Sequence, residues 1–454
     1  MPPLKIAFIL NNKAIEIEAD PKARVIDILR EDMHMTGTKE GCGAGDCGAC
    51  TILVDGESRL ACLMLASQLE GRNVTTIEGL ATKEVMHPIQ EALIEYGAVQ
   101  CGFCTPGMVM AAANLLTSNS KPDKSEIREA LSGNLCRCTG YQKIVEAVED
   151  ASRHPLACIP ANKQNIIERM QGKPSFHTAI LPNTLNELFK AVNNQPHAIL
   201  YAGGTDILVK LRNSNAYQHS TLICLERVKE LKNIYGESNN TIFIGAGCTH
   251  SQLLLNPLIQ QRFPLLIKAI KSLGSQPIRN MGTIGGNICT ASPAGDTLPP
   301  LYVMDAEVEI RSENKSRRIP IKDFIVGPGK TTLEKNEILY GLWLKENNSY
   351  NIHHFEKVGQ RRSLAISIAS FAALVKTTET GIVEKAKFAW GSVGVTVATS
   401  EDAEAAIIGK PLSKETFKTL MPIIGKTVSP IDDIRASAEY RRTVAQNLLF
   451  RLLE

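Results

Sequence analysis

Eight of the twelve cysteines fall into two groups of four, and this arrangement constrains the fold of the chain more than any other feature. The first cysteine group is Cys42, Cys47, Cys50 and Cys62, a CxxxxCxxC run followed by a fourth cysteine twelve positions later. This spacing is typical of a plant-type [2Fe–2S] centre. Glycines are interspersed in the run, and glycine lets backbone N–H groups approach sulfur atoms closely. The sequence therefore predicts an iron–sulfur cluster held by these four thiolates.

Three other interpretations of this stretch are weaker. A zinc site usually shows paired CxxC segments, whereas this stretch has a single distant fourth cysteine. Disulfides are disfavoured by the intracellular compartment that the rest of the sequence favours. The hexapeptide from Gly43 to Gly48 also reads GxGxxG, but a dinucleotide fingerprint requires a preceding strand and a following helix, and the strand-like segment TILV follows here.

Length, charge and apolar runs set the class of the chain. Its 454 residues are enough for two to four domains. The formal net charge of +3 gives no basic field for nucleic acid. The segment MPPLKIAFILNN has no basic region or small-residue cleavage site, and the later apolar runs are too short or too interrupted to span a bilayer. A cytoplasmic protein is expected, in which cysteines are more often ligands than disulfide partners.

Residues 1–80 are expected to form a small α+β domain. Alternating apolar residues predict strands at Leu4–Leu10 and Ile15–Glu18, and a short helix is predicted at Val25–Glu31. A helix packed across a mixed sheet with a cysteine loop is a ferredoxin-like β-grasp arrangement. The other predicted strands are Thr51–Val54, Arg59–Leu63 and Asn73–Thr76.

From about Thr82 the apolar period changes from two to near 3.6, which predicts a helical domain over 81–152. The second cysteine group, Cys101, Cys104, Cys136 and Cys138, forms a CxxC and a CxC pair between predicted helices. A four-helix domain can bring both pairs together, so a second [2Fe–2S] cluster is predicted; structural zinc is the alternative. The predicted helices are His87–Tyr96, Pro106–Thr117, Ser125–Ser132 and Tyr141–Ser152, with Ser125 and either Thr139 or Gly140 as caps.

These segments resemble the iron–sulfur portion of the molybdenum hydroxylases, a family that includes xanthine dehydrogenases, aldehyde oxidases and carbon monoxide dehydrogenases. The matching segments are GCGAGDCGACT, QCGFCTPGM and SGNLCRCTGY. The resemblance implies that the second cluster lies next to a molybdenum–pterin group and that the first lies nearer a flavin. Gln100 then matches a position whose side chain contacts the pterin, although by itself it reads as an ordinary polar residue at a helix end.

Two glycine-rich segments follow a linker at 153–173, in which a short helix is predicted at Gln164–Met170. The first segment, 200–207, is an apolar strand that ends in Gly-Gly, where successive N–H groups suit a pyrophosphate; a tight structural turn is the alternative. The second is a loop at 279–287 that continues to Asp296. Two such loops beside one groove are suited to a dinucleotide.

The motifs AGGTD, GTIGGN and ASPAGD resemble the flavin domain of the same family, a fold related to vanillyl-alcohol-oxidase-type FAD enzymes. The resemblance implies an FAD-binding domain over 174–346, with the first segment around the diphosphate and the second along the flavin. Lys357 becomes a further FAD contact, where the alternative is a solvated lysine at a strand end. The implied FAD contacts are Leu200, Tyr201, Ala202, Gly203, Gly204, Thr205, Asp206, Ile207, Leu273, Thr283, Ile284, Gly285, Gly286, Asn287, Asp296, Lys357 and either Leu339 or Tyr340.

Residues 347–454 are expected to form a C-terminal α+β flavoprotein lobe whose last segment, from Asp432, resembles the closing helix of that domain. The whole chain is thus expected to be a multidomain α+β protein. The remaining cysteines, Cys158, Cys224, Cys248 and Cys289, are interpreted as ordinary thiols. The predicted elements of the lobe are strands at Asn351–Val358, Ile366–Val375 and Lys385–Trp390 and helices at Thr399–Ile408 and Lys414–Leu420.

The resemblance covers nearly the whole chain but includes no molybdopterin domain, which implies a molybdopterin-containing large subunit as the partner in a heterodimer or heterotetramer. The favoured member is the iron–sulfur and FAD subunit of a bacterial-type xanthine dehydrogenase. Electrons from purine oxidation would pass through the second cluster, then the first, to FAD and to NAD+. Two alternatives stay open: an equivalent subunit of a carbon monoxide or aldehyde dehydrogenase with another acceptor, and a stand-alone iron–sulfur flavoprotein electron carrier. No catalytic residue is expected in this chain.

Overall fold

The computed structural model describes residues 4–81, 85–154, 179–213, 220–237, 240–346 and 349–453. These residues form two compact units, each assembled from separate stretches of the chain. The first unit lies within Met1–Pro182, His197–Glu226 and Gly274–Gly282. The second lies within Asn183–Pro196, Arg227–Leu273 and Thr283–Glu454. From residue 155 onward the predicted linker, with its helix and Cys158, lies outside the described residues.

The helices and strands have the following bounds in chain order. The helices are α1 (Val25–Asp27), α2 (Pro88–Glu95), α3 (Thr105–Ser118), α4 (Lys124–Ala130), α5 (Gln142–Ala151), α6 (Leu185–Asn194), α7 (Ile207–Asn213), α8 (His250–Leu255), α9 (Pro257–Arg262), α10 (Pro264–Ser272), α11 (Gln276–Met281), α12 (Ile284–Thr290), α13 (Leu298–Val303), α14 (Ile321–Phe324), α15 (Glu401–Ile407), α16 (Lys414–Thr427) and α17 (Ala438–Asn447). The strands are β1 (Leu4–Leu10), β2 (Lys13–Ala19), β3 (Thr51–Val54), β4 (Glu57–Leu60), β5 (Asn73–Thr75), β6 (Ala179–Ile180), β7 (Ile199–Tyr201), β8 (Leu222–Cys224), β9 (Ile234–Gly236), β10 (Thr241–Gly245), β11 (Glu307–Arg311), β12 (Ser316–Pro320), β13 (Ile325–Gly327), β14 (Lys330–Thr331), β15 (Ile338–Lys345), β16 (Ile352–Val358), β17 (Ala369–Thr377), β18 (Val383–Gly391) and β19 (Ala398–Thr399).

A five-stranded mixed sheet carries the first cysteine group. Its order is β2-β1-β5-β3-β4, with β1 and β5 parallel and the other pairs antiparallel, so the predicted β-grasp arrangement is present. Phe8, Ile26 and Ile52 are completely buried between this sheet and the helix that crosses it. The predicted strand at Arg59–Leu63 ends at Leu60. The chain then makes a 3-10 turn, and this turn returns Cys62 toward the loop.

The second cysteine group lies between the helices α2 to α5, which pack around a common apolar core. The predicted cap residues were wrong. Asp123, and not Ser125, caps α4, because its carboxylate accepts the N–H groups of Ser125 and Glu126 in a reciprocal capping box. Helix α5 begins after Tyr141, which has a left-handed φ of +69°.

Three short parallel strands complete the first unit. Their order is β6-β8-β7, and their side chains share one apolar core with the β-grasp domain. Leu222 and Cys224 from β8 are buried in this core, as are Phe8 and Cys50 of the first domain. The glycine segment that follows β7 therefore belongs to the same packed unit as the first cysteine group.

Among the described residues, the second unit contains three antiparallel sheets and their helices, and the smallest sheet is the pair β13-β14. The sheet β12-β11-β15-β10-β9 packs against α8 to α10 and α12 to α14, and the sheet β16-β17-β18-β19 packs against α15 to α17. Helix α16 extends beyond its predicted end at Leu420 despite Pro422, because Ile424 in the added turn is completely buried. In the described part of the chain, no helix is long and apolar enough to cross a membrane.

Candidate iron–sulfur and flavin sites

The thiols of the first cysteine group lie together in two pairs. Cys42 and Cys47 are joined by a side-chain hydrogen bond, and Cys50 and Cys62 form the second pair. Cys50 also interacts electrostatically with Cys47, so the two pairs are adjacent. Cys50 and Cys62 are buried, whereas Cys42 and Cys47 are partly exposed. Two adjacent pairs of thiols are the donor set that a two-iron cluster requires.

The backbone of the loop is shaped to approach these sulfur atoms. Ala44 and Asp46 donate their N–H groups to Cys42 Sγ at 3.3 and 3.2 Å. The approach uses left-handed conformations at Gly43 (φ +62°) and Gly45 (φ +82°), which glycine adopts without strain. The Cys47 thiol, together with these N–H groups, lowers the pKa of Cys42 to about 5. The same hydrogen bond raises the pKa of Cys47, so the lowered value at Cys42 reflects one proton held between the two thiols.

The second cysteine group is also gathered into two pairs, but it lies at the surface. Cys101 Sγ and Cys138 Sγ are 3.6 Å apart, and Cys104 interacts with Cys136 through a side-chain hydrogen bond. Burial and the neighbouring Cys136 raise the pKa of Cys104 to about 12. Cys101 and Cys138 are exposed. The structure therefore gathers the cysteines of each group into two thiol pairs, although in the part of the chain that it describes no three of them are arranged as a ready metal site.

The loops that carry the two groups are in direct contact. The N–H of Leu135, the residue before Cys136, donates to the backbone oxygen of Cys47 at 2.9 Å. Beside it, the buried amide of Asn134 donates to the oxygen of Gly48 at 2.9 Å. Gly107, in the first turn of α3, permits this approach, because a Cβ atom there would overlap the oxygen of Gly48. Sequence reasoning did not identify Asn134 or Leu135, since neither residue type marks such a contact.

Apolar side chains are exposed around the second group. They include Phe103 at 47%, Leu135 at 43% and Val99 at 38% exposure, all within two residues of a cysteine of this group. Gln100, which the sequence singles out, is also exposed. We call Val99, Phe103 and Leu135 the apolar rim of the second group.

The first glycine segment lies in the first unit. Gly203 packs against the backbone of Met281 so closely that any Cβ atom would overlap its carbonyl group, and Gly204 has a left-handed φ of +82°. The side chain of Tyr201 is buried, with its hydroxyl 3.4 Å from Ser67 Oγ, and burial raises its pKa. Tyr201 therefore serves the core of this unit.

From Thr283 onward, the second glycine segment lies in the second unit, together with Leu273, Asp296, Leu339 and Lys357. The segment was predicted to be a loop throughout, but part of it is helical. Thr283 caps α12 and accepts the N–H of Gly286 at 3.0 Å. The threonine cap makes a helix start more favourable than a continued loop. Gly285 packs against Ala246, where a Cβ atom would overlap, and Leu339 is buried in the core. Leu273, which follows α10, is partly buried.

Two of the predicted FAD contacts form a buried ion pair. Lys357 Nζ lies 2.6 Å from Asp296 Oδ2, and each side chain is only 8% exposed, so Lys357 is not a solvated strand-end lysine. The same Nζ donates to the oxygen of Ser272 at 3.3 Å. Burial raises the pKa of Asp296 to about 6, although Lys357 opposes the shift. Within the described residues, Asp296 Oδ1 is buried and has no hydrogen-bond partner. An unsatisfied buried acceptor fits a ligand that brings a donor.

Four family models match the chain in succession. Residues 8–76 match the 2Fe-2S iron-sulfur cluster binding domain, and residues 76–149 match a second [2Fe-2S] binding domain. Residues 174–344 match the FAD binding domain in molybdopterin dehydrogenase. Residues 354–454 match the CO dehydrogenase flavoprotein C-terminal domain. The expected multidomain α+β architecture is therefore confirmed.

Curated relatives match almost the whole chain but are much longer than it. Aldehyde oxidase 3 of Rattus norvegicus is 28% identical over 98% of this chain and 38% of its own length. Aldehyde oxidase 2 of Cavia porcellus is 29% identical over 98% of this chain and 39% of its own length. The chain thus spans about two fifths of the length of these relatives.

Solved structures of other oxidoreductases share the fold of part of the chain. A carbon monoxide dehydrogenase of Hydrogenophaga pseudoflava that lacks the Mo-pyranopterin moiety of its cofactor matches with a TM-score of 0.57 and 28% identity, covering 62% of this chain and 96% of its own. Quinoline 2-oxidoreductase of Pseudomonas putida 86 matches with a TM-score of 0.57 and 25% identity, with the same coverage. The chain therefore consists of two [2Fe–2S] binding domains, an FAD-binding domain and a CO dehydrogenase flavoprotein C-terminal domain.

Proposed function

We propose that this chain carries electrons between a molybdenum centre on a partner and a flavin. In this proposal the first cysteine group and the second cysteine group each hold one [2Fe–2S] cluster, and the chain binds FAD. Bound clusters supply one-electron transfer, and bound flavin couples single electrons to two-electron chemistry. The protein's own contribution is to hold the cofactors at fixed spacing and to set their electrostatic surroundings.

The contact between the two cysteine loops is the observation that carries the proposal. Leu135, the residue before Cys136 of the second group, donates its N–H to the backbone oxygen of Cys47 in the first group. Because Asn134 and Gly107 hold the loops in the same register, the spacing of the groups is fixed by buried packing. A fixed short spacing is what sequential electron transfer needs.

The exposure of the second group indicates where electrons enter. Cys101 and Cys138 are exposed and the apolar rim surrounds them, whereas Cys50 and Cys62 are buried. An apolar surface around a redox group suits a partner that must come close and exclude water. We place the molybdopterin-containing partner on this surface, with Gln100 facing the pterin, as the family resemblance implies.

The buried pair Asp296 and Lys357 supports flavin binding in the second unit. In the proposal Asp296 Oδ1 accepts a hydrogen bond from the FAD, and Lys357 holds the carboxylate in position through Oδ2. The proposal assigns the diphosphate to the first glycine segment from the family resemblance alone, since the space beside Gly203 is filled by the backbone of Met281.

For the substrate and the acceptor we propose hypoxanthine or xanthine and NAD+, as in xanthine dehydrogenase. The similarity to aldehyde oxidases favours an aldehyde as the second candidate. Both candidates use the same relay, because the substrate pocket belongs to the molybdenum-containing partner.

The test is purification of the chain with its partner, followed by cofactor analysis and steady-state assays. We expect two irons and two acid-labile sulfides for each cysteine group, bound FAD, and NAD+ reduction with hypoxanthine. Activity with an aldehyde but not with a purine would move the assignment to the second candidate. Iron or FAD absent from the purified complex would overturn the relay itself.

A further inference from the structure

Arg212 is a basic residue that the relay described above does not use. It lies in the last turn of α7, the helix that follows Gly203 and Gly204, in the same unit as the first cysteine group. Its Nη1 donates a hydrogen bond to the backbone oxygen of Cys42 at 2.7 Å. The two residues are 170 positions apart in the sequence, so the fold and not the local chain creates the contact.

The guanidinium lies directly against the loop of the first cysteine group. A Cβ atom on Gly43 would overlap both Nη1 and Cζ of Arg212, so the approach depends on glycine at that position. The same Cys42 already receives the N–H groups of Ala44 and Asp46 at its sulfur. These N–H groups carry partial positive charges, and Arg212 adds a full positive charge beside the same cysteine.

The nearest opposite charge is largely engaged elsewhere. Glu40 Oε1 lies 4.0 Å from Arg212 Nη1. However, Arg24 binds the same carboxylate with hydrogen bonds of 2.6 and 3.1 Å. Arg24 in turn also binds Asp27. The four side chains form a chain of alternating charge, in which Arg212 and Glu40 both lie against Gly43 of the cysteine loop and Arg212 alone has a hydrogen bond to Cys42 among the contacts described.

We propose that Arg212 raises the reduction potential of the cluster held by the first cysteine group. Reduction adds a negative charge to a cluster, and a fixed positive charge nearby stabilises the reduced form. A higher potential at the first group favours electron transfer into it from the second group. The proposal rests on the proposed function and adds a potential-setting residue from outside both cysteine loops.

The experiment is an EPR-monitored redox titration of the full chain carrying Arg212→Met. We expect the midpoint potential of one [2Fe–2S] signal to fall. At the wild-type midpoint potential, the ratio of reduced to oxidised cluster should decrease three- to tenfold. A tenfold change corresponds to about 59 mV for a one-electron couple. The Arg212 side chain is 49% exposed, so the shift should shrink as ionic strength rises.

Three further variants separate electrostatics from structure. Arg212→Lys keeps the charge and should retain most of the wild-type midpoint. Glu40→Gln removes a negative charge from the same site and should move the midpoint upward, a change that loop damage would not produce. Lys210→Met removes the same charge from the same helix, from a side chain that pairs with Asp206, and should leave the midpoint unchanged.

The outcomes distinguish this inference from the proposed function. Absence of any [2Fe–2S] signal in the wild-type chain would overturn the relay. Two intact signals whose midpoints are the same in wild type and Arg212→Met would overturn the role of Arg212 alone. If Arg212→Met loses iron, the Glu40→Gln and Arg212→Lys titrations decide, and a Glu40→Gln midpoint at or below wild type would contradict the proposal.

Discussion

At the scale of single residues, the candidate sites contain groups whose surroundings shift their pKa from its ordinary value. Cys42 has a lowered pKa because a thiol and two backbone N–H groups surround its sulfur. Asp296 has a raised pKa because it is buried, even with Lys357 beside it. Both residues were identified from sequence patterns; the groups around the Cys42 sulfur are local, whereas the partner of Asp296 comes from a distant part of the chain.

The eight predicted ligands can be tested one group at a time. We expect Cys62→Ser to remove the first cluster and Cys138→Ser to remove the second, so iron content falls by about half in each variant. EPR of the reduced protein should show that the other signal remains. Cys289→Ala, outside both groups, is the control and should keep full iron. Equal iron in all three variants would contradict the assignment.

The Asp296 carboxyl should make stability depend on pH. Its pKa is about 6 in the folded chain, above its ordinary value of 3.8, so the folded state binds the proton more tightly. This group therefore adds stability at low pH that is lost as the pH rises from about 4 to about 6. In the double variant Asp296→Asn, Lys357→Met, we expect the free energy of unfolding not to show this decrease as the pH rises. Urea unfolding of the flavin-free proteins measures the difference in unfolding free energy between wild type and the double variant. A difference that stays constant across that pH range would rule the effect out.

At the scale of elements, glycine positions decide how closely segments approach. Gly107 in α3 lies against the backbone of Gly48, and this packing holds the helical domain on the first cysteine loop. The contact depends on the absence of a side chain at Gly107 and on the hydrogen bond from the Asn134 amide, and neither residue by itself gives a recognisable sequence signal.

Gly107→Ala should push the two cysteine loops apart. We expect a loss of about 1–3 kcal/mol in unfolding free energy from overpacking. Electron transfer between the two clusters, followed by rapid-freeze EPR, should also slow. Gly236→Ala, where a Cβ atom would meet nothing within 4 Å, is the matched control. An unchanged transfer rate in Gly107→Ala would mean that the loops do not set the spacing.

Local patterns predicted these elements better than their ends or their contacts. The cysteine spacing and the change of apolar period identified both groups and the helices around them, because ligand geometry and helical periodicity are local. The cap at Asp123 and the start of α12 at Thr283 were missed, because several polar residues compete for each helix start. The contact of Arg212 with Cys42 joins residues that no local pattern connects.

At the scale of the whole molecule, the apolar rim is expected to be a docking surface. Leu135→Glu should weaken co-purification with the proposed molybdenum-containing partner, because a charge there resists burial. Iron content should stay at the wild-type level. Ile434→Glu, at a residue that is 97% exposed in the second unit, is the control. Equal recovery of the partner with both variants would place the docking surface elsewhere.

The first unit is built from three separate stretches of the chain, and the two later stretches contain β7 and Met281. The β-grasp domain therefore completes its apolar core with Leu222, Cys224 and Met281, which lie far beyond its own segment. A fragment that stopped at residue 152 would leave this surface open to water. The iron–sulfur half is consequently not a detachable module: it would need the flavin-binding half to be synthesised before it could finish folding.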